Sequence, residues 1–426
     1  MVPFVFVHAA DLHLDSPFKG LSRVPETVRR RLKEAAFVSL QRIVDAARRE
    51  RADFVVLAGD LYDAADRSLR AQLRLKRMLE DLAEDGIGVF AVHGNHDPES
   101  GRKAMLDWPE NVHVFGSSAV GCVPAYRRDG QLAAYVYGIS YAHAAVTENL
   151  ALRFVKREGA PFHLAILHGN VDGMPGHDPY APCRLSELTA AGFDYWALGH
   201  VHDRRVLHEY PHVVYPGNIQ GRSMRETGPK GAYLVRVSET GRVSLEFMDT
   251  ADVLWAEAAV PIDGAVREQE FLDRLTDAAE RARAEASGRP VVLRLRLDGR
   301  GPLHEKLLDA AVAEEWLEEL KACLGSPDSR DDWVWPESLV IRTAGETDLK
   351  RLAEEDGFLG ELARQGLQAA ASPEMTRALL DEALAHMRKN PRIRQWLDNL
   401  DDHRREELVR RGLETAVALL RADEDA

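Results

Sequence analysis

Short apolar runs and longer amphipathic stretches alternate through the first half of this chain. Val5 to His8, Phe54 to Ala58, Val89 to Val92, Leu164 to Leu167 and Tyr195 to Leu198 are mostly apolar. Each is followed by a polar or glycine-containing turn, a pattern that predicts buried strands. Between them, Glu26 to Arg49 and Leu69 to Asp85 repeat apolar residues at helical spacing, with Lys, Arg and Glu on the outer face. Alternating strands and helices predict an α/β layered fold. Val112 to Ser140 and Val206 to Phe247 hold shorter strand-like pieces. The run from Val235 to Phe247, broken at Glu239-Thr240-Gly241, predicts a hairpin that closes this first domain.

The character changes near Asp252. Ala258 to Ile262 predicts a strand, Arg267 to Ala286 a charged amphipathic helix, Val291 to Leu297 a second strand and Leu303 to Leu320 a second helix. This β-α-β-α pattern predicts a small α+β domain. Beyond Gly345 the chain is almost wholly helical in composition, through Leu349 to Leu367, Pro373 to Lys389, Pro391 to Leu400 and Asp402 to Leu420. Ser372-Pro373-Glu374 predicts a capped helix start with proline at its first position. The expected division is 1–250, 251–345 and a helical segment 346–426, each helix of which must pack on a neighbour or a partner.

At 426 residues and 45% hydrophobic composition, the chain has material for two or three domains. Cys122, Cys183 and Cys323 form no CxxC pair and are too few for a disulfide framework. They fit a reducing compartment, so the expected location is cytoplasmic. The apolar start Met1 to Val7 lacks a basic leader and a cleavage site, and reads as the first core strand. A formal net charge of -14 argues against a surface that grips phosphate everywhere. Contact with nucleic acid must then be local, or supported by bound metal or a partner.

Each predicted strand runs into a polar motif: Asp11-Leu12-His13, Gly59-Asp60-Leu61-Tyr62-Asp63, Gly94-Asn95-His96-Asp97, His168-Gly169-Asn170 and Gly199-His200-Val201-His202. In α/β folds ligands sit beyond the carboxyl ends of strands, which is where all of these fall. Carboxylate, imidazole and carboxamide donors suit Mn²⁺, Fe²⁺ or Zn²⁺. Asp11, His13, Asp60, Asn95, His168, His200 and His202 can ligate two divalent ions, with Asp60 as the natural bridge. No thiolate takes part, which argues against a structural zinc site. His8, His93, His113, His143, His163, His177, His208 and His212 lack such context and read as core or surface residues.

The motif order D-x-H, G-D-x-x-D, G-N-H-D, H and G-H-x-H resembles that of the calcineurin-like metallophosphoesterases. A finer resemblance lies in Asp11-Leu12-His13-Leu14-Asp15-Ser16-Pro17-Phe18, Arg67-Ser68-Leu69-Arg70-Ala71-Gln72 and Tyr215-Pro216-Gly217-Asn218-Ile219-Gln220-Gly221-Arg222. These look like the SbcD-type DNA repair exonucleases, and among them the YhaO-like bacterial branch. The resemblance implies two mixed sheets flanked by helices, with 251–345 as a capping domain and the tail as a docking segment for an SbcC-like SMC-type ATPase. It also implies a homodimer. It puts Asp11, His13, Asp60 and His202 on one metal, and Asp60, Asn95, His168 and His200 on the other. Mn²⁺ is the expected metal, with Fe²⁺, Zn²⁺ and Mg²⁺ as alternatives. His96 matches the catalytic histidine and Asp97 its orienting partner. Some relatives carry a histidine shortly after the bridging aspartate; here Leu61-Tyr62-Asp63 stands instead, so its DNA-positioning role does not transfer.

The implied activity is a metal-dependent DNA nuclease, 3′→5′ exonuclease and single-strand endonuclease. A protonated His96 would give its proton to the leaving 3′ oxygen. Arg204, Arg205, Arg222, Arg225 and Lys230 flank the motifs, and Arg222 and Arg225 are the better phosphate contacts because they follow the Pro-Gly-Asn turn. Two other readings stand beside this one. One is a phosphodiesterase or phosphatase acting on nucleotides or small phosphoesters; the other is a DNA-end-binding scaffold for an SMC-like ATPase.

Overall fold

The computed structural model describes residues 1–16, 24–63, 69–101, 107–174, 176, 178–345 and 348–424. The sequence matches at Pro17-Phe18 and Arg67-Ser68, and His177, lie outside the described residues. In chain order the first strands and helices are β1 (Phe4–Ala9), α1 (Glu26–Arg49), β2 (Phe54–Ala58), α2 (Leu69–Glu84), β3 (Gly88–Val92), β4 (Val112–Val114), β5 (Gly121–Tyr126) and β6 (Leu132–Gly138). They continue as β7 (His163–His168), α3 (Leu185–Ala190), β8 (Tyr195–Gly199), β9 (Arg205–Glu209), β10 (His212–Tyr215), β11 (Gly231–Val237) and β12 (Val243–Asp249).

These strands form two six-stranded mixed sheets, in orders β12-β11-β1-β2-β3-β4 and β5-β6-β7-β8-β10-β9. The period of two along each strand decides which side chain goes where. Phe4 and Phe6 of β1, and Phe54 and Val56 of β2, enter an apolar layer shared with Leu164, Ile166, Tyr195 and Val214 of the other sheet. The alternate residues Val7, Val55 and Leu57 pack instead with Phe37 and Leu40 of α1 and Leu75 and Leu79 of α2. Rings of Phe6 and Phe54 stack at 5.1 Å across the parallel β1–β2 pair. The outer face of the second sheet buries Trp196, Leu198 and Tyr215 with Phe154, Leu188 and Phe193.

A third sheet has the order β13-β14-β15, from β13 (Leu254–Pro261), β14 (Val291–Arg300) and β15 (Val334–Ala344). The expected single helix at Leu303 to Leu320 is two, His304–Leu308 and Ala310–Leu324. They part at Asp309, whose backbone is extended (ψ 114°). The strand β15 had no counterpart in the sequence reading, because Pro336 and Glu337 interrupt its apolar run. Among the C-terminal helices, the expected Leu349 to Leu367 helix is broken at Gly357, whose φ of 120° suits glycine. Leu349, Leu352 and Ala363 then bury against Leu413 and Val417.

The chain forms two compact units. One comprises Met1–Glu257, Ala282–Leu293 and Gly325–Glu337; the other comprises Ala258–Arg281, Arg294–Leu324 and Ser338–Ala426. Among the described residues no helix is long and apolar enough to cross a membrane.

Candidate metal centre

The site begins where β1 and β2 end. These strands are parallel, and their pairing continues into the exit loops. The Asp11 amide donates to the Gly59 carbonyl (3.1 Å), that of His13 to Asp60 (3.0 Å) and that of Leu14 to Leu61 (3.1 Å). The loops are thereby zipped together, and both motifs arrive at one place. Asp11, His13, Asp60 and His200 hold positive φ values of 52°, 43°, 52° and 98°. Such backbone costs free energy in a non-glycine residue and persists only where the surroundings enforce it, which is typical of functional sites.

Two glycines make room. A Cβ on Gly94 would overlap the Asp60 carboxylate and come within 2.7 Å of His168 Nε2. A Cβ on Gly199 would overlap the Ala58 carbonyl and reach 2.8 Å from His168 Nδ1. The glycines of G-N-H-D and G-H-x-H are therefore needed for close approach of chain to ligand-bearing side chain.

Hydrogen-bond partners assign the imidazole tautomers. His168 Nδ1 lies 2.9 Å from the Ala58 carbonyl and so carries its proton there. Its Nε2 then turns a lone pair toward Asn95 Oδ1 (3.0 Å) and Asp60 Oδ2 (3.3 Å). His200 Nε2 donates to the Asp178 carbonyl (2.8 Å), leaving the Nδ1 lone pair toward Asn95 Oδ1 (3.1 Å). Acceptors thus converge on one point with no donor among them. On the other side, His13 Nδ1 donates to Asp63 Oδ1 (2.9 Å) and His202 Nδ1 to Glu226 Oε1 (2.7 Å). The two Nε2 lone pairs face each other at 3.2 Å. Asp11 joins them, with Oδ1 4.0 Å from His202 Nε2, and its carboxylate is held by the His200 amide.

Asp60 sits between the two sets. Its Oδ1 accepts the His96 amide (2.8 Å), while Oδ2 lies 3.3 Å from His168 Nε2 and 3.7 Å from His13 Nε2. Lone pairs crowded at these distances repel unless a cation lies among them, and ring nitrogens backed by carboxylate or carbonyl are the usual arrangement of metal-binding histidines. The residues present therefore fit two divalent cations sharing Asp60. The electrostatics of the site carry the same demand for positive charge. Burial disfavours a charged His168, yet Asp60 and Asp11 outweigh it and push its pKa up to about 9. Burial and the neighbouring His168 lower His200 to about 4.

His96 stands at the rim, with 44% of its side chain exposed. Its expected partner Asp97 is engaged elsewhere. The Asp97 carboxylate accepts the amides of Gly94 (2.7 Å) and Leu61 (3.1 Å) and meets His93 Nδ1 (3.0 Å). It is a brace for the G-N-H-D loop, and the expected His96–Asp97 pairing is corrected. The carboxylate on His96 is that of Asp63, 2.7 Å from Nδ1. Burial lowers the His96 pKa, but Asp63 and Asp60 outweigh it, and the net direction is upward. The reason is geometric: adjacent residues in a tight loop point their side chains apart, whereas the zipped β1 and β2 loops bring Asp63 under both His13 and His96.

Arg222 reaches the same place. Its Nη1 lies 3.2 Å from Ser16 Oγ and 3.6 Å from Asp63 Oδ2, and its Nη2 3.5 Å from Glu226 Oε1. Arg225 is exposed, and among the described residues its guanidinium has no partner. Arg204 lies over the Phe247 ring, Arg205 pairs with Asp203, and Lys230 donates to the His202 carbonyl. Glu226 escaped the sequence reading; it sits in a turn cluster with no pattern to mark it. Asp63 closes the G-D-x-x-D motif, but its sequence position alone assigns it no partner. His8 is buried against Tyr195, and His163 against Tyr137, as core histidines.

A family model of calcineurin-like phosphoesterases matches residues 4–204, and one described as metallophosphoesterase YhaO, middle domain, matches residues 255–344. The uncharacterized metallophosphoesterase YhaO of Bacillus subtilis (strain 168) is 41% identical over 411 residues, 96% of each chain. The chain belongs to the calcineurin-like metallophosphoesterases. This metallophosphoesterase is accordingly a metal-dependent phosphoester hydrolase, of a family that uses a dinuclear divalent metal site. Two proteins named DNA double-strand break repair protein Mre11 are more distant. That of Aeropyrum pernix is 27% identical over 245 residues, covering 54% of this chain and 56% of its own. That of Methanopyrus kandleri is 26% identical over 297 residues, covering 63% and 61%.

Proposed function

We propose that this metallophosphoesterase is a two-metal DNA nuclease of the SbcD type, with 3′→5′ exonuclease and single-strand endonuclease activity. The observation that carries the reading is the pair of lone-pair clusters meeting at Asp60 Oδ2, with exposed His96 beside them. Asp11, His13, Asp60 and His202 would hold one ion, and Asp60, Asn95, His168 and His200 the other. Mn²⁺ is the proposed metal. When bound, the pair supplies a nucleophilic water near neutral pH and offsets charge on the phosphate.

The remaining chemistry belongs to side chains. Asp63 holds the His96 Nδ1 proton, so Nε2 is the atom that meets substrate. A protonated His96 gives that Nε2 proton to the leaving 3′ oxygen. Arg222, poised over Asp63 and Glu226, offers its guanidinium to a phosphate oxygen, and exposed Arg225 offers a second.

DNA as substrate is supported by the Mre11 relatives, whose names place them in double-strand break repair. The C-terminal helices from residue 346 are the proposed docking segment for an SMC-type ATPase, the segment 251–345 the capping domain, and a homodimer the proposed assembly. The test is hydrolysis of labelled single- and double-stranded DNA ends with Mn²⁺, Mg²⁺ and Zn²⁺, beside small phosphate esters. Cleavage of small esters with DNA left intact refutes the nuclease reading. Co-purification with the ATPase that survives deletion of residues 346–426 removes those helices from the interface.

A further inference from the structure

A second cleft lies at the opposite ends of the same strands. It has a volume of about 840 Å³ and an apolar floor of Pro3, Phe4, Val5 and Val237. Phe4 opens β1 and pairs in register with Val237 of β11, whereas Asp11 follows the other end of β1. At about 3.3 Å per residue the two ends are roughly 20 Å apart. A phosphate at the metal centre cannot also occupy this cleft.

The rim is basic. It carries Arg51, Arg127, Arg128, Arg236 and Arg242 against Glu50, Asp53 and Asp129, five positive charges to three negative. On a chain of net charge -14 this is a local reversal of sign. The carboxylates are already spent. Glu50 holds Arg236 at 2.8 Å, and Asp129 holds Arg127 at 3.2 Å. Asp53 accepts the amides of Val5 (2.9 Å) and Arg128 (3.1 Å). Among the described residues, the guanidinium groups of Arg51, Arg128 and Arg242 have no hydrogen-bond or ion-pair partner. They come from three separate segments: the α1–β2 connection, the β5–β6 turn and the β11–β12 turn.

We infer that this cleft binds the phosphate of a nucleotide, with the base or sugar on the apolar floor. Planar guanidinium groups match phosphate oxygens in pairs and also stack on flat rings. The volume lies within the range of small-ligand sites. The nucleotide is either free or part of a nucleic-acid strand; the recognising chemistry is the same.

The experiment is calorimetry on the full chain in EDTA and low salt, with ATP, AMP, pyrophosphate and a short single-stranded DNA as separate probes. EDTA removes the metal centre from the measurement, so failure here and failure of the nuclease reading are distinguishable. The expected result is binding of ATP or of the DNA, weakened by at least about a hundredfold in the triple variant Arg51→Glu, Arg128→Glu, Arg242→Glu. These side chains are exposed, and circular dichroism with unchanged hydrolysis of a small phosphate ester checks the fold. Lysine at the same positions should restore part of the affinity. ATP binding more tightly than the DNA assigns a free nucleotide, and the reverse assigns a strand. No binding by the wild type at millimolar probe, or equal binding by the triple variant, overturns the inference. Pyrophosphate binding as tightly as ATP overturns the nucleotide assignment.

Discussion

His13 and His202 turn their Nε2 atoms toward each other at 3.2 Å, while each ring gives its Nδ1 proton to a carboxylate, Asp63 for one and Glu226 for the other. The second pair, His168 and His200, is backed by the neutral carbonyls of Ala58 and Asp178. The difference makes the carboxylates separately testable.

Glu226→Gln keeps the size of the side chain but can present its amide nitrogen to His202 and lose the charge. Removing such a backing group typically costs about 10–100-fold in metal affinity. Calorimetric titration of Mn²⁺ into the metal-free chain should show one of two binding events weakened to that extent. Two unaltered events would remove Glu226 from the role given to it.

His96→Ala should retain two metals per chain by elemental analysis and lose about 10²–10⁴-fold in turnover, the usual worth of a general acid. Asp63→Asn should also slow turnover, and because Asp63 backs His13 as well as His96 it should weaken metal binding too, which His96→Ala leaves intact. A wild-type rate in His96→Ala refutes the assignment.

Gly94→Ala places a methyl group against Asp60 and His168. Forced overpacking costs about 1–3 kcal/mol, so the chain should fold with a lowered melting temperature and bind less than two metals. Full metal occupancy with unchanged melting would contradict the close approach.

Asp60→Ala removes the oxygen shared by the two clusters. At least one metal should be lost on elemental analysis. Retention of both would show that Asp60 does not bridge.

Acid stability should report His8, which lies in the core behind the site. Burial pushes its pKa down to about 3, against a smaller opposing pull from the Leu198 carbonyl. The unfolded chain takes up the proton near pH 6.5, and the folded chain resists it until about 3. This contribution is whole above pH 6.5 and is lost as pH falls toward 3, at up to about 1.4 kcal/mol per pH unit. Denaturant midpoints between pH 7 and pH 4 should fall less steeply in His8→Gln. An identical slope in that variant would show that His8 does not control this limb.

The strands that carry the site were legible because they are buried on both faces and read as apolar runs. Phe54–Ala58 and Glu26–Arg49 match the sequence reading residue for residue. The strand Val334–Ala344 was not legible, since Pro336 and Glu337 break the pattern on which such a reading depends. The helix breaks at Asp309 and Gly357 were also missed, because composition there stays helical while the backbone does not.

The sequence by itself determined the donor types and their order, Asp11 to His202, each just past a strand. Local chemistry is enough for that, because apolar runs build the sheet and polar motifs must lie at its ends. Only the tertiary structure decided which carboxylate serves which imidazole. Asp97 is next to His96 in the chain yet braces backbone amides, while Asp63, from another strand's loop, holds both His96 and His13. Glu226 reaches His202 across 24 residues of chain. Hydrogen bonds depend on distance and direction in space, and for Asp63 the parallel pairing of β1 with β2 sets both.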